Sequence, residues 1–130
     1  EAIWMKFIWI IIIVLIVLVI GIYLIGTWGT KEVLSEKIND INLNELSDDS
    51  YRGEYKVGRW ESEVEVTIID HKITDIKLLN KLNHPNSKLI PQTIDKIIEQ
   101  QSLQIEIVSK ATATSKTFLK SIENALINSN

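Results

Sequence analysis

The chain has 130 residues, a net charge of −3 and no cysteine, so it offers no disulfide framework, thiolate nucleophile or thiolate metal site. Acidic and basic residues are interspersed, which argues against a nucleic-acid footprint. The hydrophobic content of 45% is concentrated near the N-terminus, and the remaining hundred or so residues, roughly, suffice for one small domain.

Residues 1–6 form a short flank, in which Met5-Lys6 has the look of a natural start and Glu1–Trp4 that of an upstream extension or added remnant. From Phe7 to Thr30 there is no charge, and Phe7–Ile25 is almost wholly Ile, Val, Leu and aromatic. At about 1.5 Å per residue this run covers a hydrocarbon core of roughly 30 Å. It exits through Gly26-Thr27-Trp28-Gly29-Thr30 without an Ala-x-Ala-like cleavage site, so the helix is expected to stay attached. Trp4, Trp9, Tyr23 and Trp28 sit near its ends, where aromatic rings favour the membrane interface. Residues 7–30 are therefore predicted to be a transmembrane anchor. Lys6 precedes it while Lys31 and Lys37 follow, so positive charges alone do not orient it. A signal-anchor layout, with the domain outside, is the expected topology.

Residues 31–47 carry many charges, with helical spacing at Leu34, Ile38 and Ile41, and read as a solvated stalk. The domain is placed at 48–130. Tyr51, Gly53, Tyr55 and Val57 alternate with polar residues and predict a first strand, with Gly58-Arg59 as its turn. Val64, Val66 and Ile68 predict a second. Asp70-His71 stands where a two-residue hairpin turn belongs, and Ile73–Leu79 returns as a third. Asn83–Ser87 reads as a loop, and Ile90, Ile94, Ile97 and Ile98 form a helical stripe with Pro91 in the first turn. Leu103, Ile105 and Ile107 predict a fourth strand, and Phe118, Leu119, Ile122, Ala125 and Leu126 the apolar face of a last helix. The order strand-strand-strand-helix-strand-helix is an α+β domain, a small antiparallel sheet with two covering helices, behind one transmembrane helix.

Between that last strand and helix lies Ser109-Lys110-Ala111-Thr112-Ala113-Thr114-Ser115. Thr114 or Ser115 is placed to cap the helix, and the free N–H groups of its first turn suit a phosphate. Capping alone would account for the same hydroxyls. Metal binding and hydrolysis have little support: His71 and His84 are far apart in sequence, and there is no Gly-x-Ser-x-Gly elbow or phosphate-binding glycine loop. Tyr51 and Tyr55 read as core packing.

The run Glu106-Ile107-Val108-Ser109-Lys110-Ala111-Thr112-Ala113-Thr114-Ser115 resembles the signature of the FMN-binding domain family, Asp-x-x-Ser-Gly-Ala-Thr followed by Thr-Ser. That family includes the C subunit of sodium-pumping NADH:quinone reductase and the G subunit of the Rnf complex. Asp49–Gly53, Val64–Ile68 and Lys72–Ile76 resemble its strands in order, and the likeness runs from about Asp48 to Ile127. Glu106 stands at the family's Asp, and Lys110 at its Gly. The resemblance implies FMN joined by a phosphoester to Thr112 through a flavin transferase. It also implies Ser109, Lys110, Ala111, Thr114 and Ser115 around the phosphate and His84 near the ring. The expected function is an extracytoplasmic, membrane-anchored electron carrier between a membrane-bound donor and an outside acceptor, an electron-transfer domain more than a stand-alone catalyst. The alternatives are an anchored binding or structural module of the same fold that has lost flavinylation, and noncovalent FMN at the same turn.

Overall fold

Unbroken apolar sequence near the N-terminus winds into one helix, α1 (Ile3–Gly26), in a computed structural model that describes residues 2–79, 89–107 and 112–127. None of its residues is buried, and the helix is long and apolar enough to cross a membrane. A helix apolar all round, with no protein surface covering it, is what lipid as solvent requires.

The chain leaves α1 through Gly29, whose φ of 81° starts the short helix α2 (Thr30–Ser35). A 3-10 turn at Leu43–Glu45 then leads into the sheet. Strands β1 (Asp49–Val57), β2 (Trp60–Ile69) and β3 (Lys72–Leu78) form the expected antiparallel meander in the order β1-β2-β3. Asp70 and His71 join β2 to β3 with φ of 52° and 59°, the left-handed pair that a two-residue turn of matching twist needs. Helices α3 (Ile90–Gln100) and α4 (Thr112–Ile127) complete the domain.

The core lies between one sheet face and α4, which crosses β1 and β2, while α3 packs beside β3. Val64, Val66 and Ile68 of β2 are fully buried against Phe118, Leu119, Ile122 and Leu126, as their spacing predicts. Tyr55 is buried and Tyr51 packs at the core's edge. Burial, with Glu36 and Glu32 nearby, pushes the Tyr55 phenol up to about 12. The crossing of α4 over β1 depends on Gly53, where a Cβ would meet Ala125 N and Ser121 O at 2.3 Å. Small side chains continue the close approach, with Ser62 and Ser121 hydroxyls 2.9 Å apart in the interior.

Two sequence expectations change. Leu103, Ile105 and Ile107 keep their inward alternation, but 103–107 joins no strand ladder. The backbone N–H groups of Leu103 and Gln104 instead donate to the Asp40 carboxylate and the Ser102 hydroxyl. At the sheet edge, the Gln101 side chain takes the place of a fourth strand: its Oε1 accepts from Ile73 N–H at 2.7 Å and its Nε2 donates to Ile73 O at 2.9 Å.

The second change is the stalk. Residues 31–47 lie along the domain: Val33 and Leu46 are buried, and Ile38, Ile41 and Leu43 pack against the core. Polar groups of α4 fasten the segment. Lys116 Nζ donates to Leu34 O at 2.7 Å and Glu36 O at 2.9 Å, and Lys120 pairs with Glu36 at 3.7 Å. Buried Glu123 pairs with Lys120 and accepts from Asn39 N–H. Two of the charges that suggested solvation, Glu36 and Asp40, are partners for the domain's own groups.

Candidate functional site

The hydroxyl-rich turn sits where α4 begins, and its last residues set the helix start. Thr112 opens the helix, so Thr114 and Ser115 lie within its first turns and neither is the N-terminal cap. Both are buried, at 2% and 5% exposure, which turns their side chains into the domain. Thr112 is half-buried at the helix start, where the helix dipole is positive. Ser109, Lys110, Ala111 and His84 lie outside the described residues.

Beside this helix is an open cavity of about 640 Å³, within the range typical of small-molecule sites. It is lined by Leu103, Ile105 and Ile107, by Lys116 and Leu119 of α4, and by Ser35–Asp40. Ile107 and Lys116, both lining residues, bracket Thr112 in sequence. Thr112 and Lys116 are also separated by one helical turn, which places their side chains on one face of α4.

The cavity's rim is held by electrostatics. Asp40 accepts from Ile41 N–H at 2.9 Å, Leu103 N–H at 3.2 Å and the Ser102 hydroxyl at 2.9 Å. Burial pushes its carboxyl up, but these three donors outweigh it and hold the group below its ordinary value. Gln104 Nε2 ties the same rim through Ile38 O. Sequence reasoning named Thr112 and missed Lys116, although the helical spacing of the two was available. Nothing local pointed to the bonds that Asp40 and Ile38 make to Leu103 and Gln104, at |i−j| of 63 and 66.

The arrangement combines a half-buried hydroxyl, a helix N-terminus, a cation and an apolar-walled cavity. These residues fit a phosphorylated molecule with a flat apolar ring: hydroxyl and N–H groups for the phosphate, Ile and Leu side chains for the ring. Compared with known protein families, the model described as the FMN-binding domain matches residues 58–127, more than half of the chain. No curated protein matches it.

Proposed function

The chain belongs to the FMN-binding domain family, and from that premise we propose that it is a membrane-anchored electron carrier holding FMN covalently at Thr112, outside the cytoplasmic membrane. When bound, FMN supplies the redox chemistry, accepting and releasing electrons. The protein's part is to attach, orient and shield it. Thr112 Oγ is the attachment atom, bonded to the phosphate by a flavin transferase. The positive dipole end of α4 would favour the phosphate charge, and the family likeness gives Ser109, Lys110 and Ala111 a role at the phosphate and His84 a role at the ring. Thr114 and Ser115 support from within, packing the turn onto the domain.

The observation that supports this reading is the position of Thr112: the residue matching the family's acceptor opens α4, one helical turn before Lys116, which lines a cavity of about 640 Å³. Covalent attachment outside a cell keeps a cofactor that would otherwise be diluted away. An anchor such as α1 raises the carrier's effective concentration near membrane-bound donors. The donor in the membrane and the acceptor at the surface are the partners this implies.

The test is mass spectrometry of the full chain produced together with its own flavin transferase. The expected result is a Thr112 peptide heavier by one FMN minus water, absent in Thr112→Ala. A colourless, unmodified protein overturns the carrier and leaves an anchored module of the same fold. Yellow colour that washes away at unchanged protein mass overturns covalent attachment only. Protease access to the domain in intact cells, against sealed inverted vesicles, tests the side of the membrane.

A further inference from the structure

The connector between α2 and the sheet precedes the family match, which begins at residue 58, yet its residues 35–40 line the same cavity as Lys116, one helical turn from Thr112. We propose that residues 35–40 are the outer wall of the flavin-ring pocket, and that Lys116 places a positive charge beside the bound cofactor. The inference rests on FMN at Thr112 and adds residues to that site.

Three observations converge. First, the connector is fixed in place by bonds along its length: Lys116 to Leu34 O and Glu36 O, Lys120 to Glu36, Glu123 to Asn39 N–H, and Asp40 to Ser102 and Leu103. A wall must be held, and this segment is held at both ends. Second, the cavity is lined by apolar side chains from three segments: Ile38 on the connector, Ile105 and Ile107 on 103–107 and Leu119 on α4. A flat aromatic ring loses water against such side chains, and apolar burial favours it. Third, Lys116 is one turn from Thr112 on the same helix face, where Cβ atoms lie about 5–6 Å apart. Its ammonium donates to the Leu34 and Glu36 carbonyls in the cavity wall. A cation there favours a phosphate at Thr112 and the more negative, reduced state of the flavin.

The test uses the flavinylated full chain, with Thr112→Ala as the flavin-free reference. Hydrogen exchange across 35–40 should be slower in the flavinylated protein than in the reference. Iodide, a collisional quencher of flavin emission, should quench Ile38→Asp several-fold more strongly than the wild type, and Ile38→Ala by an intermediate amount. Lys116→Met should shift the reduction potential, read from flavin absorbance, to more negative values, whereas Lys116→Arg keeps the wild-type value. Equal exchange with and without flavin, together with equal iodide quenching in the folded Ile38→Ala protein, overturns the wall. An unchanged potential in Lys116→Met overturns the charge. Both results leave flavinylation at Thr112 standing, because the mass of the modified peptide is read separately. A wild-type chain without flavin overturns the inference together with the reading beneath it.

Discussion

Single residues decide how closely this domain packs. Gly53 has no side chain because α4 occupies that space, with Ala125 N and Ser121 O at 2.3 Å from where a Cβ would stand. Both are backbone atoms, so relief requires moving the helix. Gly53→Ala is expected to destabilise the domain by about 1–3 kcal/mol, measured as a lower denaturation midpoint with an unchanged slope; wild-type stability would disprove the contact. Some of this scale was legible in sequence. The Asp70-His71 turn declared itself because few residue pairs sit between two alternating runs at that length. The role of Gly53 did not, since a glycine in a strand carries no mark of what crosses it. Thr114 and Ser115 misled for a related reason: hydroxyl residues near a helix start have the chemistry of caps, and only the position of the helix start assigns them to the interior.

Among the elements, the strands of the meander were readable because one face is buried and the other wet, so Val64, Val66 and Ile68 alternate with Glu63, Glu65 and Thr67. The same alternation over 103–107 reports burial without pairing. Period two says which side chains face inward; it does not say that a neighbouring strand exists. The connector was misread because its partners are distant in sequence, with Lys116 reaching Leu34 across |i−j| of 82. Composition records its charges but not their destinations. Asp40 gives this attachment a pH dependence. Its carboxyl is held below the ordinary value of 3.8, so the stability it contributes is present above that value and lost as pH falls through its lower folded value. The protection of the Ile41 and Leu103 amides, read as exchange relative to the intrinsic rate at each pH, should therefore fall on acidification through that range, and Asp40→Asn should show the low protection already at neutral pH. Slow exchange in Asp40→Asn would mean that the attachment does not depend on this carboxylate.

For the molecule as a whole, the joint between helix and domain matters most. The tip of the β1–β2 hairpin rests on the end of α1. Arg59 donates through its guanidinium to Gly26 O at 2.7 Å and through its backbone to Trp28 O at 3.2 Å. Trp60 Nε1 donates to the Thr30 hydroxyl at 2.8 Å. Gly29 and Gly58, with φ of 81° and 59°, meet backbone to backbone: a Cβ on Gly58 would lie 2.4 Å from Trp28 O. The sequence marked both glycines as turns and gave no sign that the turns touch. Gly58→Val should separate them. Spin labels placed on the last turn of α1 and on β2, in the full chain in lipid nanodiscs, should give one narrow distance distribution in the wild type and a broad one in the variant. Equal widths would remove the joint from the account.

That glycine-to-glycine contact has a mechanical meaning. A carrier on a slack leash samples a hemisphere of positions and exchanges charge by chance encounter. One bolted at its base holds its cofactor at a single altitude and bearing above the bilayer. Under the proposed carrier role, donor and acceptor would each have to arrive along their own approach, so the geometry of the pedestal, rather than the length of a rope, would select which proteins can be served.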